Sequence, residues 1–232
     1  MSIDAQGVVR ALVRSAESGH ERPAGESRRP TIIVSRTMGS GGDAAARVLG
    51  IRLGLEVYGS EILDAVARQA KVDKKLMSSL NEYAVTAADA WLYAAFFAKN
   101  VSRDDYLSQL AATVRALHRL GGIILGRGAY VILENRPALR VRITGSVEAC
   151  AVRVAAEDGI GLEEAKEKVR ESNRKRGKFV WDMFHRRLND PTNFDLVINT
   201  DKLASMDPVV DMIVAMQEAT GLNLPKAVAA AG

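Results

Sequence analysis

Gly39-Ser40-Gly41-Gly42 stands between the apolar, β-branched run Thr31-Ile32-Ile33-Val34-Ser35 and the small-residue series Ala44-Ala45-Ala46. β-Branched residues favour a strand, glycines admit backbone conformations closed to other residues, and alanines favour a helix, so the stretch reads as strand, tight loop and helix start. Such a turn aims backbone N–H groups and a helix N-terminus at one point, where an anionic phosphate is held. Gly39, Ser40, Gly41 and Gly42 therefore offer backbone donors to a nucleotide's phosphates, with Asp43 closing the loop. Arg36 sits at the strand end, where ligands bind in open α/β sheets, and brings cationic charge. Asp43, in the first helical turn, is stabilised by the helix dipole and is the candidate for holding Mg²⁺, directly or through water. Set on the pattern G-x-x-x-x-G-K-[ST] with Gly41 as second glycine, the loop has Arg36 for the first glycine, Gly42 for the lysine and Asp43 for the hydroxyl residue.

Two further groups suit phosphate chemistry. Arg127 lies between Gly126 and Gly128, after the apolar run Gly122-Ile123-Ile124-Leu125, as a ligand-facing residue at a second strand end. Its guanidinium fork matches phosphate oxygens. The densest basic region runs from Lys166 to Arg187, and within it Arg170, Arg174 and Lys178 recur at four-residue spacing, on one face of a helix. Arg174 and then Lys178 are the leading candidates there, against a solvated face balanced by Glu163, Glu164, Glu167 and Glu171. Asp190-Pro191-Thr192-Asn193 has the residues of a turn, and Glu61 after Ser60 those of a helix cap. The three histidines are scattered and suggest no metal-ligand cluster.

The combination Ser35-Arg36-x-x-Gly39-Ser40-Gly41-Gly42 after a strand resembles the cytidylate kinase-like family, lysine-poor relatives of the nucleoside monophosphate kinases. Three more segments agree in order: Tyr58-Gly59-Ser60-Glu61-Ile62-Leu63, Gly126-Arg127-Gly128, and Asp190 through Asp201. The resemblance spans about residues 31 to 213. It implies a three-layer P-loop kinase-like α/β fold, ATP and Mg²⁺ as cofactors, and phosphoryl transfer to a nucleoside monophosphate, most plausibly CMP. It also implies that Arg127 contacts the acceptor phosphate, that Glu61 begins a helix at the substrate-side loop, and that a mobile lid at about 160–188 closes its arginines over both nucleotides. Arg36, Arg127, Arg174 and Lys178 are then the expected catalytic residues, needing no general base, because positioning and electrostatics carry such a step. Two alternatives stay open: a nucleotide-binding regulator or scaffold without catalysis, suggested by the absent lysine, and a kinase for a non-nucleotide metabolite.

The elements that must position these residues follow from the pattern of the chain. Apolar runs at 31–35, 122–125, 139–143 and 195–199, with a short strand at 55–58, alternate with helical stretches and argue for a largely parallel sheet covered by helices. Residues 1–30 read as a short helix and a polar linker, 31–222 as the domain and 223–232 as a tail. Between 60 and 120 the pattern is helical throughout, an insertion long enough to build a homodimer surface, and the resemblance implies that this region covers the monophosphate substrate. With 232 residues and a formal charge of +4, one domain with anionic small-molecule partners is expected. Balanced charges and few aromatics argue against nucleic acid. No run approaches the length that spans a bilayer, so no membrane partner is expected. The single cysteine, Cys150, fits a reducing, cytoplasmic setting.

Overall fold

The computed structural model describes residues 7–8, 30–72 and 101–222. Five short strands form one sheet: β1 (Thr31–Arg36), β2 (Val57–Tyr58), β3 (Gly122–Leu125), β4 (Leu139–Thr144) and β5 (Leu196–Asn199). Their spatial order is β2-β3-β1-β4-β5, and every pairing is parallel. Parallel neighbours cannot be joined by hairpins, so helices carry the chain back across the sheet. These are α1 (Gly42–Leu53), α2 (Ser60–Val72), α3 (Val101–Leu120), α4 (Ala129–Ile132), α5 (Val147–Asp158), α6 (Leu162–Phe184) and α7 (Asp207–Thr220). The domain is thus a three-layer α/β fold of the P-loop kinase type.

Strand alternation divides the core into two layers. Ile32, Val34, Ile123, Leu125, Leu139, Val141 and Ile143 pack with α1 and α7 on one face. Ile33 and Ile124 pack with α2, α3 and α4 on the other. On that second face β4 presents Arg140 and Arg142, so the run at 139–143 is an apolar and cationic alternation and not a uniformly apolar strand. A third, small cluster of Cys150, Ala151, Val154, Ala165 and Val169 joins α5 to α6. His118 is buried, with Nδ1 2.9 Å from the Thr31 hydroxyl, as a packing residue of α3. The expected insertion is helical at both described ends, whereas 73–100 lies outside the described residues. Most of the N-terminal helix and linker and the tail from 223 also lie outside them. No helix among the described residues is long and apolar enough to cross a membrane.

Candidate active site

The glycine loop leaves β1 and enters α1 through left-handed turns at Gly39 and Gly41, with φ of 75° and 77°. Other parts of the chain pack closely round it. A Cβ at Gly41 would stand 2.3 Å from the flexible Met206 thioether, and the left-handed φ itself favours glycine in this turn. Arg153 donates to the Gly39 carbonyl at 3.2 Å, and the Thr200 hydroxyl donates to the Ser40 carbonyl at 3.0 Å. The Ser40 side chain is fully buried and donates to the carbonyls of Thr37 and Ile143, so its hydroxyl holds the loop's shape. The Ser40 N–H is taken by Thr37, whereas the first helical N–H with a backbone partner is that of Ala45. Ahead of it, the N–H groups of Gly39, Gly41, Gly42 and Asp43 form no hydrogen bond among the described residues. That is the donor set an anionic phosphate satisfies.

Beside the loop, on the face that carries Ile33 and Ser35, lies a cavity of about 460 Å³. Its cationic lining is Arg36, Arg127, Lys168, Lys175 and Arg176, with Glu171 the one carboxylate among its lining residues. Arg36 binds Asp43 through one edge of its guanidinium, Nε at 3.1 Å and Nη2 at 2.7 Å. Arg127 is held by Asp64, which accepts from Nε at 2.8 Å and from Nη2, while the Tyr106 hydroxyl donates to the same carboxylate at 2.7 Å. The Arg127 guanidinium also lies 5.1 Å from the Phe179 ring centroid, an attractive cation–π arrangement. Arg127 has φ 52° and follows Gly126 at 73° and precedes Gly128 at 68°. Three consecutive left-handed residues, one of them an arginine, store about 1–3 kcal/mol of strain. The Asp64 fork and the Phe179 ring hold it in place.

The long helix α6 enters the site with a different face from the one its basic spacing suggests. Lys168, Glu171, Ser172, Lys175, Arg176, Phe179 and Val180 line the cavity. Arg174 and Lys178 are exposed and do not line it; Lys178 pairs with Asp182 at 2.7 Å. The four-residue period is right, but its phase is displaced by two residues, about 200° round the helix. Arg176 takes the place expected of Arg174. It is partly buried and donates to the Arg36 carbonyl at 2.8 Å. Burial, then the neighbouring Arg36, draw its pKa down to about 10. One turn earlier the Asn173 amide accepts from the Met38 N–H at 3.0 Å, so α6 is fastened to the loop at two points.

Glu61 is exposed and accepts from the Ser60 hydroxyl at 3.3 Å in the first turn of α2. It lines a separate hollow of about 750 Å³ with Asp43, Arg47 and Glu56, whose carboxylates do not suit a phosphate. Asp190 accepts from both the N–H and the hydroxyl of Thr192, which hold its carboxyl below the usual range and give it a capping role. Sequence reasoning missed Asp64, Tyr130, Arg142, Arg153 and Asn173, and within the basic region it ranked Arg174 and Lys178 ahead of Arg176. Arg142 carried a signal: a charged residue in the interior of a parallel sheet, where helices cover both faces, is buried by its position.

A model of the cytidylate kinase-like family matches residues 31–202. The chain belongs to that family. Membership places it among kinase-like proteins and supports nucleotide-dependent phosphotransfer in general. No curated protein matches it. A crystal structure of an uncharacterized protein from Eubacterium ventriosum aligns with a TM-score of 0.62 at 18% identity, over 82% of this chain and 99% of that one, which supports the fold. Shikimate kinases from Bacteroides thetaiotaomicron and, in complex with shikimate, from Acinetobacter baumannii align more loosely. Their TM-scores are 0.43 and 0.44, each at 15% identity, over 83% and 84% of this chain and 99% and 96% of theirs. The cofactors that membership implies can be set against the residues present. The unpartnered loop N–H groups fit the phosphates of ATP. For Mg²⁺ the loop supplies one half-exposed carboxylate, Asp43, already engaged by Arg36. One carboxylate is enough for an ion held mainly by phosphate oxygens and water.

Proposed function

We propose that this protein transfers the γ-phosphoryl of ATP to a nucleoside monophosphate, with CMP the first acceptor to test. The observation that carries the reading is the cavity beside the glycine loop, with five cationic side chains and one carboxylate in its lining. The N–H groups of Gly39, Gly41, Gly42 and Asp43 bind the ATP phosphates, with Asp43 the residue to hold Mg²⁺, which when bound offsets charge on the transferring phosphates. Arg127 orients the acceptor phosphate from a pre-set position, and binding replaces part of the Asp64 fork with phosphate oxygens. Arg36 and Arg176 face the same cavity and stabilise charge that spreads over the migrating group. In this assignment Arg36 supplies the cation that a loop lysine brings elsewhere, because Gly42 has no side chain to do so. The face of α6 covers the cavity and excludes water during transfer.

The test is ADP formation from ATP and Mg²⁺ against a panel of nucleoside monophosphates, with Arg127→Ala beside the natural chain. Stimulation by CMP or a relative, reduced at least about 100-fold in kcat/KM by the substitution, is the expected outcome. The Arg36–Asp43 pair supports a second reading, a nucleotide-binding regulator without catalysis, since it occupies the carboxylate next to the missing lysine. ATP binding with no turnover for any acceptor favours that reading. Turnover stimulated only by a non-nucleotide metabolite changes the acceptor and leaves the chemistry in place.

A further inference from the structure

Strand β4 sends two arginines to the site face, and their surroundings differ. Arg140 is fully engaged: it donates to the carbonyls of Leu133, Glu134, Arg136 and Ala138 and pairs with Asp195 at 3.5 Å. Arg142, 7% exposed, donates only to the Ser35 hydroxyl and the Asn189 amide oxygen, each at 2.9 Å. Both partners are neutral, and no carboxylate among the described residues pairs with this guanidinium. Close to it stands Tyr130, 4% exposed, which lines the Arg127 cavity. Its hydroxyl is buried and has no hydrogen-bond partner among the described residues. Burial pushes the phenol up to about 12, so it remains an O–H donor at any physiological pH. A buried cation without a counter-ion and a buried donor without an acceptor are each unfavourable, and here they are neighbours. Ser35, which accepts from the guanidinium, lines the same cavity as Tyr130, while Arg142 itself lines an adjoining hollow of about 260 Å³ with Thr37 and Asn189, and Leu188 lines both.

We infer that Tyr130 and Arg142 are acceptor-binding residues, forming with Ser35 a recognition point for the phosphate of the acceptor. The inference rests on reading the Arg127 cavity as the acceptor site. It adds to that reading two residues that satisfy their own bonding only when an oxyanion is bound. An oxyanion there accepts from the Tyr130 hydroxyl and neutralises Arg142, and the ligand-free protein keeps both groups in readiness.

The experiment is calorimetric titration of the full chain and of Tyr130→Phe with CMP, with inorganic phosphate and with ATP, alongside thermal unfolding of each ligand-free protein. Phenylalanine keeps the ring and removes only the hydroxyl. The expected result is a loss of at least about tenfold in affinity for CMP and for phosphate, as for a hydrogen bond to a charged group. ATP binding is expected within about twofold of the natural value, with a Tm unchanged or higher because a partnerless buried hydroxyl is gone. Arg142→Gln is expected to lose the same two anions. Equal affinity of Tyr130→Phe and the natural chain for both anions overturns the inference. So does a loss confined to CMP, which moves the contact away from the phosphate, or an equal loss for ATP, which places the residues at the donor. Absence of turnover in the natural chain overturns the phosphotransferase reading alone, since the phosphate titrations still decide the role of Tyr130. Undiminished anion binding with turnover retained overturns only the inference.

Discussion

Arg176 shows how a residue's energetic cost can mark its use. Burial and the adjacent Arg36 disfavour its charged form, so in the ligand-free fold the guanidinium opposes folding at neutral pH. Its folded pKa, about 10, lies below the ordinary arginine value, so stability rises with pH as the folded state sheds that proton first. Arg176→Met, which keeps an apolar stem and removes the charge, is expected to raise the Tm of the ligand-free protein by about 2–4 °C, equivalent to about 1 kcal/mol, while lowering acceptor turnover. A lower Tm would show that the bond to the Arg36 carbonyl outweighs the charge. Tyr130 has the opposite sign. The unfolded chain ionises this phenol near its ordinary value of 10.0, and the folded chain only near about 12, so stability falls across that interval. Denaturant titrations at about pH 9 and about pH 11 are expected to show a smaller loss in Tyr130→Phe than in the natural chain. Arg127 was legible as a site residue because two glycines flank it. Its partner Asp64 was not, because a separation of 63 positions in the sequence is closed only by the tertiary packing of α2.

At the scale of elements, α6 carries the lesson about phase. Its charge pattern gave the helix and the period correctly, yet Asn173 and Arg176 reach the glycine loop while Arg174 and Lys178 turn to solvent. The apolar residues that select this face, Ala165, Val169 and Val180, are few, and a stripe of cations is more conspicuous than they are. The turn from β3 to α4 is the other demanding element. A Cβ at Gly128 would approach the Phe184 ring to 2.1 Å at a φ of 68°, so Gly128→Ala combines a clash with backbone strain. A loss of about 2–4 kcal/mol in denaturant stability is expected, with a still larger relative effect on acceptor affinity because Arg127 would be displaced. If stability falls but affinity holds, the turn does not set the arginine's position.

The whole molecule is unevenly held. Two extensive apolar layers clamp the sheet, whereas α5 and α6 are joined by a cluster of five small or medium side chains and tied to the loop by Asn173 and Arg176. Native-state hydrogen exchange is therefore expected to show the amides of α5 and α6 opening at lower free energy than those of β1, β3 and β4. Protection in α6 is expected to rise on adding ATP. Uniform protection across both would mean that the site face does not open as a unit. From the sequence alone came the loop, the parallel sheet, the helical cover and the place of Arg127 at a strand end, because these depend on glycine conformational freedom, β-branching and apolar periodicity over neighbouring residues. The family came from the resemblance of four ordered segments. Which cations share a cavity was decided by tertiary structure alone. Pairings such as Arg36 with Asp43 and Arg127 with Asp64, and the isolation of Arg142 beside Tyr130, depend on helix phase and strand order, which place residues far apart in the chain within bonding distance and leave others without a counter-charge.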